Sequence, residues 1–156
     1  MFDLFGFLRR SASRPKSGPV PGKTPRQKTG DEGERAAARF LKKRGFRILA
    51  RNVRYPQGEV DLVAQEKRAG TLCFVEVRSR ALEEGEVPRV ALEETVTPAK
   101  RRKVIRAAHC FMKQHAGSDL TIRFDVVVVR FAGEDRRRPE VRHYPGAFDA
   151  TGRTLA

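Results

Sequence analysis

Residues 58–78 read GEVDLVAQEKRAGTLCFVEVR, and the class of fold follows from them. Two apolar runs of strand length flank a short polar connection, Lys67 to Gly70, which reads as a hairpin. Side chains alternate across a strand. In the first run this places Glu59, Asp61 and Val63 on one face, and Val60, Leu62 and Ala64 on the other. In the second, Leu72, Phe74, Glu76 and Arg78 oppose Cys73, Val75 and Val77. A third run, Ile122 to Arg130, puts Arg123 and Asp125 on one face, backed by Ile122, Phe124, Val126 and Val128. Each strand has one apolar face and one face that is apolar at one end and charged at the other. The pattern predicts an α/β protein whose sheet is covered on both sides, with an acidic pocket at one edge of the covered region.

Strands joined by a short hairpin pair antiparallel, so Asp61 and Glu76 are expected side by side. Two carboxylates that close repel unless something offsets them. Hard Mg²⁺ (or Mn²⁺) does so, because it takes carboxylate oxygens and waters at roughly 2.1 Å, and it can activate water against a phosphoryl group. Arg78, two residues beyond Glu76 on the same face, would sit near the same phosphate. The competing reading is a salt-bridge network of Glu59, Asp61, Glu76, Arg78, Arg123 and Asp125 on a solvated sheet face.

Upstream, a helix is expected from about Asp31 to Arg44, stopped by Gly45. Its apolar face is Ala37, Ala38 and Leu41, and Glu34 points the same way. Glu34 also fits a capping box with Asp31. A strand follows near Arg47 to Val53, then a turn at Tyr55 to Gly58. Downstream of the hairpin, Arg80 to Thr95 reads as an acidic surface loop. A second helix opens with Thr97 as N-cap and Pro98 at its first position, and runs to about His115. Its inner face is Val104, Ala107, Ala108 and Phe111. Lys100, Arg101, Arg102 and Lys103 form either a phosphate-contact stripe or a solvated face. A short last strand is expected near Val141 to Tyr144.

The 156 residues suit one domain, and 39% hydrophobic with 33% charged residues suits a globular chain. The formal charge is +14 and the pI about 10.8. Such an excess points to a polyanion, DNA or RNA first and an anionic membrane surface second; an Arg-rich proteome is the bland alternative. Residues 1–30 read as a flexible basic arm with an apolar start, 31–150 as the folded domain and 151–156 as a tail. Cys73 and Cys110 form no C-x-x-C and read as buried thiols of a reducing compartment. No apolar run approaches the roughly 20 residues of a membrane span, and nothing directs the chain out of the cytoplasm. The three histidines lack metal-ligand spacing, and neither a Ser-His-Asp order nor a Gly-rich phosphate loop stands out.

GERAAARFL, GFRILARNVR, GEVDLVA, FVEVRSR, TPAKRRK, RFDVVVV and a closing AFD, taken together and in order, resemble the YraN family of small bacterial proteins, related to the restriction-endonuclease-like superfamily. The resemblance covers about Gly33 to Phe148. It implies a mixed central sheet flanked by helices, with a layout similar to archaeal Holliday-junction resolvases. It also implies a Mg²⁺-dependent endonuclease acting on DNA, branched or damaged DNA included. Asp61 matches the superfamily's signature Asp, Glu76 the Glu of its Glu-x-Lys, and Glu34 its upstream helical Glu. On this reading Asp61 and Glu76 hold the metal, and Glu34 assists through the metal or its water. Arg78 stands where the superfamily usually has Lys. Arginine could steady a phosphate, but it does not deprotonate near neutral pH and so could not act as a base. A DNA-binding protein of this fold without turnover and a basic interaction module are the alternatives.

Overall fold

The computed structural model describes residues 22–83, 86, 96–115, 119–133 and 136–155. Helix α1 spans Pro25–Lys43. Its start is set by Thr24, whose Oγ1 accepts from the Gln27 N–H at 3.3 Å, while the Gln27 side chain accepts from the Thr24 N–H at 2.9 Å. Pro25 supplies the fixed φ and missing donor suited to the first position. The helix therefore begins six residues before the expected Asp31, and residues 25–30 are helix, not arm. The capping box is Thr24/Gln27, which leaves Glu34 in the interior of the helix. Gly45, at φ +89°, ends it as expected.

Strands β1 (Phe46–Tyr55), β2 (Gly58–Glu66), β3 (Leu72–Leu82), β4 (Ile122–Ala132) and β5 (Glu140–Phe148) form one mixed sheet in sequential order. All neighbours are antiparallel except β3 and β4. Helix α2, Pro98–His115, lies in the connection between those parallel strands. The Thr97 Oγ1 accepts from the Lys100 N–H at 3.3 Å, so the N-cap is where the sequence places it. This is the expected α/β architecture, a mixed sheet flanked by helices.

Each face of the sheet has its own core. On the α2 side Val60, Val63, Leu72, Phe74, Phe124 and Val126 meet Val104, Ala107, Ala108 and Phe111. On the α1 side Leu62, Ala64, Cys73, Val75, Val127 and Val129 meet Ala36, Ala37, Ala38 and Leu41. Small side chains let α1 lie close: a Cβ at Gly33 would stand 2.4 Å from the Ser79 Cβ.

Other boundaries differ from expectation. β3 runs on to Leu82 and β5 to Phe148. Most of the expected 80–95 loop, and residues 1–21, lie outside the described residues. The expected tail folds back: Thr154 bridges to Phe148, and the Leu155 N–H donates to the Ala147 carbonyl at 3.0 Å. Cys73 is buried and Cys110 half-buried, both as free thiols. No helix among the described residues is long and apolar enough to cross a membrane.

Candidate metal and nucleic-acid site

β2 and β3 pair only from Leu62↔Val75 to Gln65↔Leu72. Beyond that point the ladder ends, and the Asp61 Oδ2 accepts from the Val77 N–H at 2.8 Å. The same break shifts the side-chain parity. Val60 packs with Val63 on the α2 side, whereas Leu62 and Ala64 pack on the α1 side. Strict alternation thus fails at Asp61, and the irregularity turns this carboxylate toward β3.

On β3, Glu76 follows Leu72 and Phe74 on the α2 side and is 1% exposed. Burial, then the neighbouring Asp61 charge, push its carboxyl up to about 9, against the opposing pull of Lys100 and Arg78. Glu76 therefore holds its proton more tightly than a free carboxyl does. Burial raises Asp61 as well, opposed by the Val77 N–H and by Lys100. The sequence expectation that the two carboxylates meet is met.

Two cations face the pair. The Lys100 Nζ lies 2.7 Å from Glu59 Oε1 and 3.7 Å from Glu76 Oε1. The Arg78 Nη1 lies 3.9 Å from the same Glu76 oxygen and is 46% exposed. The other Glu76 oxygen, Oε2, is buried and receives no N–H donor, and the Glu76 carboxyl shares a hydrogen bond with Asp61. Burial alone would lower Lys100, but Glu59, Glu76 and Asp61 together raise it, so its ammonium stays charged. Glu34 reaches the same end of the sheet from α1. Burial and the Asp61 charge raise its pKa, while a hydrogen bond from the Asn52 side chain opposes them.

These groups suit a hard divalent cation. Two buried carboxyl groups side by side are costly when both are charged, and Lys100 and Arg78, at 3.7 and 3.9 Å, offset that only in part. Among the described residues no three His, Cys, Asp or Glu side chains close into a cage. An open carboxylate pair is the arrangement that suits Mg²⁺, which keeps several waters and binds through one or two carboxylates.

The four basic residues that open α2 do not form one stripe. Lys100 turns into the acidic pocket. Arg101 is buried, donating from Nε to the Val96 carbonyl at 3.0 Å and from Nη1 to the Gly152 carbonyl at 3.1 Å, so it ties the chain end to the helix. Arg102 and Lys103 are exposed. Lys103 joins Arg78, Thr97, Ala99 and Lys100 around a hollow of about 240 Å³, and a second hollow on its other side is lined by Arg54, Tyr55 and Glu59.

Helical spacing could have revealed the placement of Lys100 and Arg101. Lys100 stands four residues before Val104 and eight before Ala108, on the buried face of α2, and Arg101 stands four before buried Ile105.

Arg123 and Asp125 are not part of this pocket. Through the parallel register Asp125 pairs with Val75 and so faces the α1 side, opposite Glu76. It is fully buried. Arg123 grips it at 2.8 and 2.9 Å, His143 Nε2 lies 2.9 Å away, and the Gly146 N–H donates at 2.9 Å. Burial would raise its pKa, but the bonds from His143, Arg123 and Gly146 outweigh that and lower it. Arg123 also donates to Glu66 at 2.9 Å. This satisfied network joins β2, β4 and β5.

Fold and site together define an α/β protein whose mixed sheet carries a helix on each face and a buried carboxylate pair beside a lysine at one end. A family model described as "Uncharacterised protein family UPF0102" matches residues 33–129, and the chain belongs to this family. It is 48% identical over 128 residues to a UPF0102 protein of Anaeromyxobacter dehalogenans, covering 82% of this chain and 89% of the relative. A UPF0102 protein of Desulfosudis oleivorans is 43% identical over 125 residues, covering 80% and 93%. One of Syntrophotalea carbinolica is 42% identical over 120 residues, covering 77% and 90%.

Proposed function

We propose that the chain is a metal-dependent endonuclease that hydrolyses phosphodiester bonds in DNA. The observation that carries this reading is the buried Asp61–Glu76 pair, two carboxyl groups in contact, set beside Lys100 in a chain of charge +14. Asp61 and Glu76 would hold Mg²⁺ or Mn²⁺, which when bound supplies an acidified water and neutralises charge on the phosphoryl oxygens. Arg78, half-exposed at the rim, anchors a phosphate through its fork of donors. Lys100 supplies the fixed cation that Glu-x-Lys would carry at position 78, delivered from α2 instead of β3. It remains protonated and acts as a charge, not as a base. The proton of the attacking water goes to the Glu34 carboxylate, whose raised pKa suits it to receive one. A P–O bond forms to that water, the P–O bond to the departing alkoxide breaks, and the alkoxide takes a proton from solvent.

One observation favours a second reading, binding without turnover: Glu59 already holds Lys100 at 2.7 Å. Incubation of the full chain with Mg²⁺ or Mn²⁺ and linear, nicked and four-way DNA distinguishes the two. The expected result is cleavage that disappears in Asp61→Asn and Glu76→Gln, together with loss of Mn²⁺ binding in calorimetry. Unchanged Mn²⁺ affinity in both variants would leave a salt-bridged sheet edge as the better description.

A further inference from the structure

β1 runs on through Asn52, but there φ is +50°, the single positive value at a non-glycine among the described residues. Few side chains accept that backbone, and asparagine is one that does. Its position in the sheet gives the kink a use. The β1–β2 register passes from Arg51↔Leu62 to Val53↔Val60, so Asn52 stands across from Asp61, and these two fall between the paired positions. Asp61 turns toward the Val77 N–H. Asn52 lines a hollow together with Glu34, Lys23, Asp31, Arg35 and Arg51, and its side chain is a hydrogen-bond partner of Glu34.

We infer that Asn52 is a positioning residue: its left-handed kink, opposite Asp61, presents the side-chain amide to Glu34 and fixes this carboxylate within reach of the Asp61 charge. The inference rests on the metal reading of that pair. The kink forgoes the regular ladder that a β-branched residue would make, and strain of this kind is retained where the surroundings use it. So held, Glu34 would orient water near a cation bound at Asp61 and Glu76, in the way that outer hydrogen bonds orient metal sites.

The test is Mn²⁺ titration calorimetry on the full chain as wild type, Asn52→Gly, Glu34→Gln and the double variant, each with a melting curve. Glycine accepts the +50° backbone without strain, so Asn52→Gly isolates the amide. It is expected to melt close to wild type and to bind Mn²⁺ about tenfold more weakly, as is Glu34→Gln. In the Glu34→Gln background, Asn52→Gly is expected to change the affinity by less than about twofold. Equal losses in both backgrounds, or no loss, would overturn the inference and leave the metal site standing. An Asn52→Gly protein that does not fold would overturn it in favour of a purely structural role, and Glu34→Gln with wild-type affinity would do so without relying on that variant. Wild type that binds no Mn²⁺ would instead remove the metal reading itself, and the inference with it.

Discussion

Arg78 and Asp125 are both charged residues on interior strands, and their surroundings give them opposite duties. Arg78 stands 3.9 Å from Glu76 and is 46% exposed, a pairing that contributes little to stability. Arg78→Ala is therefore expected to change the unfolding free energy by less than about 1 kcal/mol while weakening DNA binding several-fold, and Arg78→Lys to keep most of the binding. A clearly destabilised Arg78→Ala with intact DNA affinity would make the residue a structural partner of Glu76. Asp125 has no exposure and four hydrogen-bonded contacts. Asp125→Asn leaves Arg123 with Glu66 alone as counter-charge and is expected to cost roughly 3 kcal/mol at pH 7. Its folded pKa lies below the unfolded one, so the contribution is full above the unfolded pKa of about 3.9 and is lost as pH falls through the folded value. Urea midpoints of wild type and Asp125→Asn should thus lie well apart at pH 7 and converge in acid.

The elements meet where side chains are absent. A Cβ on Gly58 would stand 2.0 Å from the Lys103 carbonyl oxygen of α2, so Gly58 lets the helix seat on the start of β2. That seating places Lys100 against Glu59 and Glu76. Gly58→Ala is expected to destabilise the protein by about 3 kcal/mol or more, since backbone has to move, and to weaken Mn²⁺ binding as well; a melting temperature within 2 °C (~1 kcal/mol) of wild type would contradict it. Much of this level was legible in the sequence. Alternation on β3 and β4 gave the two apolar faces, and Thr97-Pro98 gave the start of α2. The α1 start was masked by its basic, Pro-rich surroundings, although Thr24-Pro25-x-Gln27 carries the same cap chemistry. The meeting of Asp61 with Glu76 followed from the hairpin. Three things did not follow from alternation: the parity break at Asp61, the kink at Asn52 and the opposite face of Asp125. The first two are departures from strand geometry, and the last depends on β4 pairing parallel to β3 across the sheet.

At the scale of the molecule, part of the positive charge among the described residues is exposed and unpaired. Arg35, Arg39 and Lys42 lie on one face of α1, exposed and without an ion pair to any described residue. At 1.5 Å per residue they span about 10 Å, and Arg35 shares a hollow with Arg51, Asp31 and Glu34. Arg54 and Lys103, likewise exposed, line a second hollow with Glu59. A strand of nucleic acid crossing the site would meet both groups. Each neutralised phosphate releases counter-ions and contributes about −0.9 to the slope of log K against log salt for duplex DNA. In metal-free buffer, the triple variant Arg35→Ala/Arg39→Ala/Lys42→Ala is expected to flatten that slope by about 2 to 3, and Arg54→Ala/Lys103→Ala by about 2. Melting temperatures should hardly move, because none of these side chains is buried or paired. The measurement requires neither metal nor turnover, so it separates the surface from the chemistry. A slope unchanged in both variants would mean that the charge is compositional and that DNA, if bound, is held elsewhere.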